Sequence, residues 1–329
     1  MKFLHLIENL RTPVGDFFFG AITYLGDEIG FLAMAILFFW CISKKQGYYI
    51  LTTGLVGSVV NQWLKIACRI SRPWHLDSTL NTIDSAKGRA GGYSFPSGHT
   101  QNIAGTFGCI GRYNSQKWLK ILSISLIVLV SFSRMYLGVH TPMDVAASLL
   151  IAGVLVFVFY YVFRTEESMN RFMTWAVVIS VLLSIGYIIY MLCLDTSTFT
   201  TEEDIEALYS AQKNAGTLGG CLFGLALVYP LDKYVIKFET GARWYAQVIK
   251  FVLGVAIVFA IKEGLSSPLR ALFGNEFVAR GVRYFLIVAF AGSVWPLTFK
   301  FFGKLRIEKL EKFTEWVVSK LSKKESVAE

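Results

Sequence analysis

Three short stretches carry the residue types that can handle a phosphoryl group. The first holds Lys65, Arg72 and Pro73. The second is Ser94-Phe95-Pro96-Ser97-Gly98-His99, and the third holds Ser133, Arg134, His140 and Asp144. In the second stretch Ser97 reads as a helix N-cap, because the chain turns apolar and small after Thr100 (Ile103, Ala104, Gly105, Phe107). A helix start offers unpaired N–H groups and a partial positive charge, which suits an oxyanion. Gly98 lets the backbone approach such a ligand, and His99 in the first turn can protonate a leaving group. In the third stretch Thr141 as N-cap, Pro142 at N1 and Asp144 at N3 make another helix start. From there the Asp144 carboxylate can reach back to the His140 ring and stabilise its charged form. Lys65, Arg72 and Arg134 can neutralise a phosphoryl group. The two histidines fit the two ends of an in-line displacement, one attacking phosphorus and the other protonating the leaving oxygen.

Each residue alone has a plainer reading. Lys65 and Arg72 can be snorkelling cations at a membrane boundary. Asp144 can be only a capping acid, and His140 an interfacial polar residue. The elements that position them decide between the readings. With 54% hydrophobic and 17% charged residues and mean hydropathy +0.51, the chain carries repeated apolar runs of membrane-spanning length. They predict an all-α, polytopic transmembrane bundle of about nine spans: roughly 27–41, 48–68, 98–111, 118–132, 145–163, 172–194, 214–230, 244–261 and 282–302. Lys65 and Arg72 lie seven residues apart, about two helical turns, at the end of the second span. Ser97 to His99 open the third, Arg134 closes the fourth, and His140 to Asp144 open the fifth. If each span crosses once, all these ends meet on one side of the membrane.

The three stretches resemble the signature motifs of the type 2 phosphatidic acid phosphatase superfamily, a family that includes glucose-6-phosphatases and vanadium haloperoxidases. The match holds at Lys65, Arg72 and Pro73, at Pro96, Ser97, Gly98 and His99, and at Ser133, Arg134, His140 and Asp144, and it spans roughly residues 25–165. The resemblance implies His140 as nucleophile, His99 as general acid, Asp144 as the group orienting His140, and Lys65, Arg72, Ser97, Gly98 and Arg134 as phosphate-binding residues. It implies a lipid phosphate or diphosphate as substrate, of the phosphatidic acid, phosphatidylglycerol phosphate or polyprenyl diphosphate class. A soluble sugar phosphate is the rival substrate, and a non-catalytic transporter or binding protein the rival class. No carboxylate cluster accompanies the motifs to hold magnesium, so the reading uses no metal and no other cofactor.

The sequence divides into an interfacial amphipathic segment (1–26), a catalytic core (27–165), a further four-span region (166–303) and a basic amphipathic tail (304–329). The four-span region is expected to shape lipid access or a homodimer face. Gly216, Gly220 and Gly224 at spacing four mark a close helix contact. Lys250 faces protein or snorkels, Pro296 marks a kink, residues 262–280 lie in the interface, and His75 and Arg89 fall in the polar loop. The formal charge of +9 sits mostly between apolar runs and in the tail, as topology signals rather than a nucleic-acid surface. The positive bias puts the motif side and the N-terminus outside, and the C-terminus in the cytoplasm, of a plasma membrane. Five cysteines scattered in apolar segments predict neither disulfide nor zinc, and no cleavable signal peptide is evident.

Overall fold

The computed structural model describes residues 1–88, 90–314 and 316. Arg89 and most of the predicted basic tail therefore lie outside the described residues. The architecture is all-α. At the N-terminus are α1 (Lys2–Glu8), α2 (Pro13–Ile22) and α3 (Glu28–Leu37), the last running on as a π-helical turn to Ile42. Then come α4 (Lys44–Cys68) and two short helices, α5 (Pro73–Leu76) and α6 (Asp84–Lys87). Next are α7 (Gly98–Tyr113), α8 (Lys117–Tyr136), α9 (Pro142–Phe163) and α10 (Glu166–Cys193). The remainder consists of α11 (Glu202–Leu231), α12 (Trp244–Gly264), α13 (Ser266–Phe273), α14 (Glu276–Ala289) and α15 (Phe299–Lys304).

Local chemistry sets many of these starts. Thr12, Ser43, Ser97, Thr141, Thr165, Thr201 and Asn275 each cap the helix that follows through a side-chain oxygen. Losing such a cap costs roughly 0.5–2 kcal/mol. Thr141 and Asp144 form a full capping box, as do Thr201 and Asp204.

Six helical segments are long and apolar enough to cross a membrane: Lys117–Tyr136, Pro142–Phe163, Glu166–Cys193, Glu202–Ile236, Trp244–Phe273 and Glu276–Lys304. Pro13–Gly26 and Glu28–Ile42, bent by 54°, together make a seventh. The expectation of nine spans is thus met by six or seven on apolarity. The predicted second and third spans, α4 and α7, fall short, α7 at 16 residues by its length and both by their polar content. Both pack inside the bundle, α4 on α7, α9, α10 and α11, and α7 on α3, α4, α8 and α9. A helix surrounded by protein can carry Thr52, Thr53, Asn61, Thr100, Gln101 and Thr106 on buried faces. The stretch 262–280, expected at the interface, is largely helical: α12 continues into α13 within one apolar segment, and α14 begins at Glu276. Pro296 falls in a 3₁₀ turn, Trp295–Thr298, that follows a π-turn.

The second half is not a separate layer. In α11, 67% of the most apolar window is buried, against 22–39% in the other five segments, so α11 is an interior helix. Its most extensive partner is α14, across the predicted glycine stripe. Lys250 faces protein: it is 1% exposed, its Nζ donates to the Thr240 carbonyl at 3.1 Å, and it lies 4.3 Å from the Phe299 ring centroid.

Candidate active site

The C-terminal end of α4, the N-terminal end of α7, the C-terminal end of α8 and the N-terminal end of α9 meet around one cavity of about 340 Å³. Lys65, Arg72, Gly98, His99, Arg134 and His140 all line it. Lys65, Arg72 and Arg134 are 5%, 3% and 1% exposed. Burying three cations costs several kcal/mol per ion unless they are compensated. No ion pair to a carboxylate is seen for any of them among the described residues. Backbone carbonyls of the loop before α7 supply part of the compensation. Lys65 Nζ donates to the Tyr93 carbonyl. Arg72 donates from Nε to Gly92 O (2.9 Å), from Nη2 to Gly91 O (2.9 Å) and from Nη1 to Val139 O (3.0 Å). Arg134 is different. Nη1 donates to Thr23 Oγ1 at 2.7 Å, whereas Nε and Nη2 are buried without a hydrogen-bond partner among the described residues. Buried unpaired donors of this kind call for an acceptor.

Arg72 Nη1 also lies 2.9 Å from His140 Nε2. A guanidinium only donates, so Nε2 carries the lone pair and the neutral ring holds its proton on Nδ1. Nδ1 faces Asp144 Oδ2 at 3.4 Å and Ser94 Oγ at 3.5 Å. Burial, then the charges of Arg72, Arg134 and Lys65, push the His140 pKa well below 6.5. The ring is therefore neutral at neutral pH, with its Nε2 lone pair accepting from Arg72. Burial lowers Arg72 to about 10, which leaves it charged there.

Asp144 stands where both readings of the sequence would place it. Its Oδ2 accepts from Thr141 N at 2.7 Å as the capping acid and stands beside His140. Ser94, which the sequence reading quoted without a role, donates to the same oxygen at 2.6 Å. Ser97 is not brought to the cavity wall. Its Oγ caps Thr100 N at 3.4 Å and its N–H donates to Asp144 O at 3.2 Å, so it ties α7 to α9. Gly98 does line the cavity, and a Cβ there would meet nothing nearer than Asn61 Oδ1 at 3.9 Å. Packing leaves that position open, which frees space on the cavity side. His75 sits in the short α5 and does not line the cavity.

Three contributors were not anticipated. Asp27 Oδ1 lies 2.6 Å from His99 Nε2, although an aspartate just ahead of an apolar run signals no more than a helix cap. Asn61 and Gln62 of α4 line the cavity, and their signal was two polar residues inside an otherwise apolar run. Asn214, Thr217, Leu218 and Cys221 of α11 close one wall from the second half of the chain.

Comparison with known proteins addresses the same segments. The family model described as PAP2 superfamily matches residues 45–168, and one described as PAP2 superfamily phosphatase, transmembrane extension, matches residues 215–307. The chain belongs to the PAP2 superfamily. Among curated PAP2 relatives it is similar to an undecaprenyl-diphosphatase of Sulfolobus acidocaldarius, 32% identical over 36% of this chain and 56% of the relative. It is similar to an undecaprenyl-diphosphatase of Bacillus subtilis, 29% identical over 39% of this chain and 65% of the relative. Sphingosine-1-phosphate phosphatase 1 of Mus musculus is 25% identical over 73% of this chain and 58% of the relative. The match thus spans less than two-thirds of the length of each of these relatives. No solved structure gives a significant match.

Proposed function

We propose that this PAP2 protein is a membrane phosphatase that hydrolyses a lipid phosphate or diphosphate through a phosphohistidine. The observation that carries the lipid assignment is the lining of the cavity. Along α4 it runs from Lys65 through Gln62, Asn61 and Ser58 to Leu55, ten residues or about 15 Å of helix. Phe31 and Leu32 of α3 and Leu218 and Cys221 of α11 line it too. Cations at the membrane boundary and apolar side chains deeper in suit a phosphate whose hydrocarbon stays in the bilayer. Among the described residues α3 packs on α4 and α7 but not extensively on α11 or α14, which supports lateral access on that side.

In this reading His140 Nε2 attacks phosphorus. Arg72 turns its Nη1 from the ring to a phosphoryl oxygen, and Lys65, the free donors of Arg134 and the Gly98 end of α7 hold the others. His99 protonates the leaving oxygen, and water then hydrolyses the phosphohistidine. Asp144, fixed by Ser94 and Thr141, stabilises the positive charge that develops on His140. The catalytic core is 27–165, with 166–303 completing the cavity. Counting α4 and α7, the chain crosses nine times with the site on the non-cytoplasmic face of the plasma membrane. Membrane-impermeant maleimide then labels Cys68 and Cys193, both exposed and near the site end, from outside intact cells. Labelling only after permeabilisation reverses the orientation.

The deciding assay is phosphate release in detergent with EDTA from phosphatidic acid, phosphatidylglycerol phosphate, a polyprenyl diphosphate, sphingosine 1-phosphate and glucose 6-phosphate. Release from a lipid, lost by about a thousandfold or more in His140→Ala, supports the reading. Release from glucose 6-phosphate alone moves the substrate to a soluble ester. No release by folded protein refutes the enzyme.

A further inference from the structure

We infer that Asp27 is a positioning residue for His99, and that residues 23–28, which precede the matched family region 45–168, belong to the phosphoryl-transfer machinery. This rests on the phosphatase reading above. Asp27 stands at the N-cap of α3 with φ −67° and ψ 160°, where an aspartate ordinarily accepts a hydrogen bond from the first turn. It makes no such bond. Its Oδ1 instead lies 2.6 Å from Nε2 of His99, which is at the first turn of α7 and lines the cavity.

The rest of the segment is shaped to deliver that carboxylate. A Cβ on Gly26 would come within 2.9 Å of the His99 carbonyl oxygen and 3.0 Å of His99 Cβ, so only glycine permits this approach to α7. Asn102 Nδ2 donates to Gly26 O at 3.1 Å, and Thr23 Oγ1 accepts from Arg134 Nη1 at 2.7 Å. The segment is thereby tied to α7 and α8 immediately ahead of Asp27.

The charge balance gives Asp27 its work. Lys65 from α4, Arg72 after it and Arg134 from α8 surround the cavity on which His99 and His140 open, against the two carboxylates Asp27 and Glu28 from the start of α3. The three fixed cations oppose an imidazolium among them. A carboxylate at 2.6 Å favours it, and the imidazolium is the form that can donate a proton. With Nε2 on Asp27, Nδ1 is the ring nitrogen left to serve the leaving oxygen. As the bond from His140 Nε2 to phosphorus forms and the ester P–O bond breaks, the Nδ1 proton passes to that oxygen and releases the alcohol. Water then attacks phosphorus, the N–P bond breaks, and the water's proton returns to His99. The sum is ester plus water giving alcohol plus phosphate, and Asp27 neither gains nor loses a proton.

The test uses the full chain with Asp27→Asn and Asp27→Glu. An alkoxide leaving group needs the proton and a nitrophenolate does not. Asp27→Asn should lower kcat on phosphatidic acid by about 10–100-fold, with KM within about threefold, and on p-nitrophenyl phosphate by less than about fivefold. Asp27→Glu should recover part of the loss. Equal losses on both esters, or none on either, overturn the assignment while leaving the phosphatase reading in place. Turnover of neither ester by the wild type, with every lipid in the panel also untouched, overturns both. A readout independent of turnover is ¹⁵N NMR of histidine-labelled protein, in which four rings (His5, His75, His99, His140) are assigned by single His→Gln variants. Asp27→Asn should move the His99 ring nitrogens and leave His5 and His75 in place. An unmoved His99 sinks the pairing.

Discussion

Gly220→Ala should destabilise the protein, and the magnitude follows from where the new methyl would go. Gly220 lies on α11 against α14. Its Cβ would overlap the carbonyl oxygen of Gly281, 2.9 Å from Phe285 N and 3.0 Å from Gly281 C. Carbon contacts are comfortable at about 3.5–4.0 Å, so relieving the overlap with Gly281 O requires α14 to withdraw by roughly 1–1.5 Å. The obstacle is backbone, which cannot rotate aside as a side chain can. Overpacking of this kind costs about 1–3 kcal/mol, and the gain in helix propensity from Gly to Ala returns at most about 1 kcal/mol. Gly153→Ala in α9 is the matched control, because a Cβ there meets nothing within 4 Å. Thermal unfolding in detergent should place Gly220→Ala below wild type and Gly153→Ala at or above it, by about 2–4 °C per kcal/mol. Because α11 carries Asn214, Thr217 and Leu218 on the cavity wall, activity should fall in the first variant and not the second. Equal unfolding temperatures for the two variants would refute the tight contact.

Two further predictions come from the cavity and from the N-terminus. Leu218→Trp fills the apolar part of the cavity, so KM should rise for dioleoyl but much less for dihexanoyl phosphatidic acid; a uniform effect on both would mean that the chain lies elsewhere. His5 of α1 is held by Asp77 at 2.9 Å and Glu8 at 3.0 Å. Those hydrogen bonds, Asp77 first, raise the His5 pKa above 6.5, so its contribution is full below about 6.5 and lost as pH rises through the raised value. Hydrogen bonds from Thr79, then His5, pull Asp77 from 3.8 down to about 2, so its share is full above about 3.8 and lost as pH falls through about 2. Hydrogen exchange of residues 2–11, corrected for intrinsic rate, should be slowest near pH 5 and faster at pH 9, with His5→Gln abolishing the difference.

The residues that bear chemistry were legible because their spacing coincides with helix ends, and helix ends on one side of a membrane must meet. Lys65, Arg72, His99, Arg134 and His140 needed no more than that to reach one cavity. Asp27 was not legible. A carboxylate just before an apolar run signals a cap in any sequence, and only the close approach of Gly26 to α7 turns it toward His99. Apolarity alone finds six or seven of the nine expected crossings, because α4 carries polar residues on faces packed against protein and α7 is only 16 residues long. The glycine stripe on α11 announced a close helix partner without naming α14. Asn214 and Thr217 lie beside that stripe and gave no sign of facing a site built from motifs more than seventy residues away. Ser97 was read from its motif as a phosphate ligand, whereas its hydroxyl and N–H are taken by Thr100 and Asp144.

The second half of the chain also reaches the site through the loop that compensates its cations. The carbonyls of Gly91, Gly92 and Tyr93 accept from Arg72 and Lys65. That loop is itself held from α11: Tyr93 Oη donates to Asp204, and Glu203 Oε1 accepts from the Arg72 backbone N–H at 3.0 Å. Arg69 donates to Thr198 Oγ1 at 2.9 Å and stacks on Phe199 at 3.8 Å, fastening the end of α4 to the same region. Lys65 and Arg72 therefore donate to a loop that is itself tethered, with the end of α4, to residues 198–204. Replacing Glu203 and Asp204 by alanine removes two acceptors at positions that touch no cavity residue except through Arg72 and Tyr93. Each lost hydrogen bond of a charged group is worth about 1.5–3 kcal/mol, of which solvent near these exposed ends recovers a large part. The expected result is a several-fold rise in KM, with His140 chemistry intact once substrate is bound. An unchanged KM in the double variant would mean that the loop holds its shape from α4 and α7 alone, and that the second half contributes only the α11 wall.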